Sequence, residues 1–154
     1  KKMQVCGVMA KDTVKQFEDN PFDTSSRINS TWGGNLIDMV RCAMQLEIIE
    51  RDGLVGNAAR RGEELNKGLM ELQNGFEMIS NVRGQGLMAA FSLPDGKMRD
   101  DLRQAIYEGG AHVLNSGFDS IRLRPSLTIS SDEVDEALNI FETAAKRMQS
   151  SMVA

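Results

Sequence analysis

The stretch Met78-Ile-Ser-Asn-Val-Arg-Gly-Gln-Gly-Leu-Met-Ala-Ala-Phe-Ser-Leu93 decides the fold. Two short apolar runs, Met78 to Val82 and Leu87 to Leu93, flank Arg83-Gly84-Gln85-Gly86, a pattern that predicts two strands joined by a glycine-rich turn. Upstream the period changes to a helical one. Ala58, Leu65, Leu69 and Leu72 fall on one face of a helix from Leu54 to about Gln73, with Gly75 past its end and Gly62 and Gly68 weakening it. Downstream, Pro94-Asp95-Gly96 forces a turn before a helix from about Met98 to Tyr107. Two more short strands follow, Ala111 to Leu114 and Ser120 to Leu123. Ser130 and Glu133, three residues apart, form a capping box opening a last helix, whose Val134, Leu138, Phe141, Ala145 and Met148 make one apolar stripe. The order helix, two strands, helix, two strands, helix predicts an α+β layer with helices on a mostly antiparallel sheet.

The first fifty residues read differently. Asn20-Pro21 and Gly33-Gly34 mark loops, and from Asn35 the residues Leu36, Met39, Val40, Ala43, Leu46 and Ile49 recur at helical spacing until Gly53, a C-cap signal. Too few strands are present here to close a core. The expected organisation is therefore residues 1–53 as the tail of a larger domain with a long connecting helix, and residues 54–154 as a complete small α+β domain. Residues 1–34 should be poorly anchored without the remainder of that larger domain.

Composition narrows the function classes. With 41% hydrophobic and 26% charged residues, the 154-residue chain has ordinary globular character. Its net charge of −4 offers no basic excess for nucleic acid or an anionic membrane. The longest apolar run, Gly86 to Phe91, is too short to span a bilayer, and no signal peptide is evident. Cys6 and Cys42 fit neither a disulfide framework nor a CxxC metal spacing, which points to a reducing compartment, the cytoplasm by default. A single histidine, His112, gives little to build a metal site or a Ser-His-Asp triad on.

Three short segments could carry chemistry. Lys1-Lys2 taken alone is a pair of solvated charges. Ser30-Thr31-Trp32-Gly33-Gly34-Asn35 precedes a helix and could offer hydroxyls and backbone N–H groups to a phosphate, or simply cap that helix. Ile121-Arg122-Leu123-Arg124 places two arginines on one strand face, where a guanidinium in a cleft would clamp a carboxylate. Other features have plainer readings. Arg83 with Gly84 and Gly86 precedes no helix and reads as a tight turn, Cys6 as a packed small side chain, and His112 as part of a sheet edge. The methionines, Met39, Met44, Met70, Met78, Met88 and Met148 among them, read as mainly core-facing.

Four strings taken in order, Lys-Lys-Met-Gln-Val-Cys-Gly at 1–7, Ser-Thr-Trp-Gly-Gly-Asn at 30–35, Val-Arg-Gly-Gln-Gly-Leu-Met at 82–88 and Ile-Arg-Leu-Arg-Pro-Ser-Leu-Thr at 121–128, resemble the C-terminal part of a class III aminotransferase. These are fold type I pyridoxal 5'-phosphate enzymes. The Lys-x-Gln-Val-Cys-Gly string, and the lack of a proline after Asn35, resemble the lysine-aminotransferase branch of the class. The resemblance implies Lys1 as the Schiff-base lysine, with Lys2 as runner-up, and Thr31 as a ligand of the cofactor phosphate across a homodimer with shared active sites. It implies Arg122 as the grip on the α-carboxylate of 2-oxoglutarate or glutamate. A primary amine suits the first role because it can exchange with a substrate amine and then shuttle a proton.

The implied function is transfer of the ε-amino group of L-lysine to 2-oxoglutarate, giving 2-aminoadipate 6-semialdehyde and glutamate. Ornithine or 4-aminobutyrate specificity is the alternative within the class, and a non-catalytic α+β interaction module the alternative outside it. A ring-stacking aromatic, an acid for the pyridine nitrogen and a further phosphate loop have no counterpart here. The chain therefore reads as a C-terminal piece of a longer parent, inactive alone.

Overall fold

A computed structural model describes residues 10–24, 27, 28, 31 and 33–153. The chain divides into two compact units, Lys1–Asp52 and Gly53–Ala154.

In the first unit a short 3-10 helix, Asp12–Gln16, precedes helix α1, Leu36–Arg51. Asn20 is 2% exposed, and its side-chain oxygen accepts from the Phe22 and Asp23 backbone N–H groups, closing an Asx-type turn at Pro21. Asn35 is the N-cap of α1, its side-chain oxygen accepting from the N–H groups of Ile37 and Asp38. Such a cap satisfies orphan donors of the first turn. The expected helix is present, but none of its residues is buried.

The second unit holds the core. Helix α2 spans Leu54–Gly75, strand β1 Ser80–Gln85, strand β2 Met88–Ser92, helix α3 Gly96–Glu108, strand β3 Leu114–Ser116, strand β4 Ser120–Leu123 and helix α4 Ser131–Val153. The four strands form one sheet in the order β1-β2-β4-β3, every pair antiparallel. This is the α+β layer that the element order predicts. Gly53 adopts φ +60°, in the left-handed region, and so ends α1 while starting α2. Asp95 caps α3 by accepting from Met98 N–H at 2.8 Å. The capping box of α4 is complete: Glu133 N–H donates to Ser130 Oγ at 3.2 Å, and Ser130 N–H donates to Glu133 Oε2 at 2.7 Å.

Side-chain alternation sorts the sheet into two faces. Ala89, Phe91, Ile121 and Leu123 point into the core with Leu65, Leu69 and Leu72 of α2, Leu102 and Ile106 of α3, and Val134, Phe141 and Ala145 of α4. Ala90, Ser92, Ser120 and Arg122 occupy the opposite face.

Several local expectations need correction. Strand β1 begins two residues later than expected and continues through Arg83 to Gln85, with the reversal at Gly86-Leu87, where Gly86 has φ +54°. The expectation failed because strand pairing tolerates the polar and glycine residues of 83–85 on an edge. The third strand begins at Leu114, so Ala111 to Val113 are not strand residues, and exposed His112 stands before the sheet instead of at its edge. Strand β4 ends at Leu123, leaving Arg124 exposed beyond it. Of the methionines read as core-facing, Met39, Met44, Met70 and Met88 are exposed, while Met78 is buried and Met148 packs against the core.

The two helical glycines prove to be contact points rather than weaknesses. A Cβ on Gly62 would lie 2.4 Å from the Gly86 carbonyl, and one on Gly68 would lie 2.2 Å from a Leu138 methyl. Each lets another segment approach α2 closely.

Candidate functional site

The expected site residues fall in three places. Lys1 lies outside the described residues, as do Lys2, Cys6, Ser30 and Trp32. Thr31 is exposed in the turn before α1. Since Asn35 already takes the N–H groups of Ile37 and Asp38, the capping duty of this loop falls on Asn35, and no described hydrogen bond engages the Thr31 hydroxyl.

Arg122 belongs to the second unit. It is half-buried on β4, paired with Ala90 of β2 on one side and Leu114 of β3 on the other. Its Nε is buried and has no hydrogen-bond partner among the described residues. Leaving such a donor unsatisfied costs roughly 1–3 kcal/mol. The Nε of Arg61 and Arg103 is likewise buried without a partner among the described residues; in each guanidinium the Nε–H and the adjacent Nη–H form the fork that can meet a carboxylate with two parallel bonds.

Beside it lies a network the sequence reading missed. Arg83 of β1 pairs with Ala90, and Ala90 pairs with Arg122, so the two arginines share one cross-strand row on the open face with only a methyl group between them. The Arg83 guanidinium donates to Ser120 Oγ at 3.1 Å, to Ser92 Oγ at 3.4 Å and to the Asn81 carbonyl at 2.8 Å. Ser92 Oγ and Ser120 Oγ are 3.0 Å apart, and Ser120 Oγ lies 3.0 Å from Asp119 Oδ1. Both serines are buried, at 6% and 5% exposure. Placing Arg83 in a turn hid this network. Extending β1 by period two would have set it on the Arg122 face.

Other features stand apart. Clefts of about 530, 620 and 200 Å³ occur in the second unit, and Arg122 lines none of them. The largest lies between α2 and β1, at Gly62, Asn66 and Met70, where the helix crosses the sheet edge. The His112 ring meets Tyr107 edge-on at a centroid distance of 6.1 Å. No group of His, Cys, Asp and Glu able to hold a metal is found among the described residues. No helix there is long and apolar enough to cross a membrane.

With this geometry the comparisons with known proteins define the class. The family model "Aminotransferase class-III" matches residues 2–145, and the chain belongs to the class III aminotransferases, a pyridoxal 5'-phosphate-dependent family. Within that class, L-lysine-epsilon aminotransferase of Mycobacterium tuberculosis (strain ATCC 25618 / H37Rv) is 46% identical over 145 residues, covering 94% of this chain and 32% of the relative. The solved lysine aminotransferase from M. tuberculosis in the internal aldimine form superposes with a TM-score of 0.84 at 45% identity, over 95% of this chain and 34% of that one. Mitochondrial 4-aminobutyrate aminotransferase of Sus scrofa is 35% identical over 143 residues, covering 92% of this chain and 27% of the relative. The chain thus spans about a third of the length of the curated relatives it matches.

Proposed function

We propose that the chain is the C-terminal portion of an L-lysine ε-aminotransferase, the parent of which moves the ε-amino group of lysine to 2-oxoglutarate and releases 2-aminoadipate 6-semialdehyde and glutamate. The observation that carries this reading is the 46% identity to a lysine aminotransferase across 94% of the chain, against 35% to a 4-aminobutyrate enzyme. The non-catalytic alternative has no such support.

Pyridoxal 5'-phosphate, when bound, supplies an aldehyde that accepts amines and a conjugated ring that takes up the electrons of a broken C–H bond. The chain's own residues divide the remaining work. Lys1 provides the primary amine that is displaced by the substrate amine and then carries the proton at its Nζ. Thr31 donates its hydroxyl to the phosphate of the cofactor bound mainly by the neighbouring subunit, which makes the parent a homodimer with shared sites. Arg122 orients the acceptor by its carboxylate, and the buried Nε without a partner supports that role. The cytoplasm is the compartment that fits a chain of this kind. Residues 1–53 serve as the end of the cofactor-binding large domain, and residues 54–154 as the small domain.

The test is product analysis on the full-length parent. Equal amounts of glutamate and 2-aminoadipate 6-semialdehyde should form from lysine and 2-oxoglutarate, with Lys1→Ala abolishing turnover and Lys2→Ala sparing it. Faster turnover of ornithine or 4-aminobutyrate than of lysine would overturn the donor assignment.

A further inference from the structure

The Arg83–Ser92–Ser120 network has no part in the residue roles above, yet it adjoins Arg122. We propose that these three residues are positioning residues for the acceptor carboxylate: they fix the β4 backbone, and with it the Arg122 guanidinium. The inference rests on Arg122 being the carboxylate clamp.

Two observations carry it. First, Ser120 stands two residues before Arg122 on the same face of β4, and its hydroxyl is tied to Arg83 of β1 and Ser92 of β2. One side chain thereby spans three strands, β1, β2 and β4. The buried side-chain tie adds to the ladders that hold β4 between β2 and β3 and constrains the strand next to its arginine. Second, Arg83 spends its donors on hydroxyl and carbonyl oxygens. Its guanidinium thereby caps the Ser92–Ser120 hydroxyl pair, and the Asp119 carboxylate meets the same Ser120 hydroxyl at 3.0 Å.

The experiment uses the full-length parent holoenzyme and glutarate, an inert dicarboxylate, titrated calorimetrically. Ser120→Ala should weaken glutarate binding by about 3- to 10-fold, the range expected for a lost buried hydroxyl tie. Ser120→Thr, which keeps the hydroxyl, should restore it. Arg83→Gln, an exposed position that tolerates substitution, should weaken glutarate by a similar factor. In an Arg122→Ala background neither change should weaken glutarate further, because the network acts through that arginine.

The single-turnover rate with lysine should change far less than the glutarate affinity. The inference is overturned if Arg122→Ala loses glutarate affinity while Ser120→Ala and Arg83→Gln do not. It is equally overturned if they weaken glutarate to the same extent without Arg122, or slow the lysine half-reaction by the same factor. If Arg122→Ala itself leaves glutarate binding intact, the clamp reading is what fails.

Discussion

Helices α1 and α4 carry the same kind of signal in sequence and meet opposite fates. Both show apolar residues at three- and four-residue steps and both have a side-chain cap at the N-terminus. Yet Val134, Phe141, Ala144 and Ala145 of α4 are buried, whereas α1 has no buried residue, and its Leu36, Ile37, Val40 and Leu46 are each more than 60% exposed. Periodicity specifies a helix and the face it wants to hide. It does not supply the surface that hides it. For α4 that surface comes from α2 and α3 within the same unit. For α1 no such surface is present within its own unit among the described residues.

The sharpest way to break this contrast is to truncate one large side chain on each side. Phe91→Ala empties a core position that is 1% exposed and should cost about 3–5 kcal/mol, enough to abolish most of a domain's stability. Met44→Ala on α1, at 57% exposure, should stay within about 0.5 kcal/mol in this chain. Urea titrations of the two variants decide, and comparable losses would show that α1 is packed after all.

The glycines of α2 grade the next effect. Gly62→Ala would drive a methyl group into the Gly86 backbone, which cannot rotate away, so a loss of about 1–3 kcal/mol is expected despite alanine's better helix propensity. Gly68→Ala meets only the Leu138 side chain and should cost less. Gly56 faces only the flexible end of Arg60, and Gly56→Ala should stabilise by up to about 1 kcal/mol. Thermal melts should rank the three in that order. An equal gain at all three would mean that α2 does not approach the β1-β2 turn and α4 as described.

Capping sets a smaller effect. Ser130→Ala should remove about 1 kcal/mol by exposing the first-turn N–H groups of α4. Smaller still is a pH effect at the same corner. Hydrogen bonds from the Ser130 backbone N–H and then its hydroxyl hold the Glu133 carboxyl below its ordinary value of 4.5. A group with a lowered folded pKa adds stability that is fully present above the unfolded value and is lost as pH falls through the folded one. Acid titration of stability should therefore show a slightly shallower decline below pH 4.5 in Glu133→Gln than in the parent sequence. An unchanged slope would place the capping box outside the titrating set.

Much of the second unit was legible because its signals are local. The capping box at Ser130 and Glu133 and the apolar stripe of α4 depend on residues a few positions apart and form as read, while Pro94-Asp95 bends the chain and Gly96 already begins α3, two residues earlier than expected. The edges of strands were not. Arg83-Gly84-Gln85 has the composition of a turn, and only pairing with β2, together with Gln73 accepting the Val82 N–H at 2.9 Å, makes it strand. Gly62 and Gly68 looked like defects because a helix read alone cannot show what presses against it. The candidate site divides in the same way. Arg122 was visible as an alternating strand arginine before a proline, whereas its neighbours Arg83, Ser92 and Ser120 are joined to it only by sheet register, which is non-local information.

The proposed grip of Arg122 on the acceptor carboxylate is separable from a structural role by single-turnover kinetics of the two half-reactions in the full-length parent. Losing a charged, two-pronged hydrogen bond costs roughly 1.5–3 kcal/mol, about one to two orders of magnitude in apparent affinity. Arg122→Ala should show that loss for 2-oxoglutarate, and Arg122→Lys a partial one, since it keeps the charge without the fork. Under the proposed reading the lysine half-reaction should suffer much less, since the proposed role of Arg122 is to orient the acceptor. Equal slowing of both half-reactions would contradict the claim and make Arg122 a structural residue of β4.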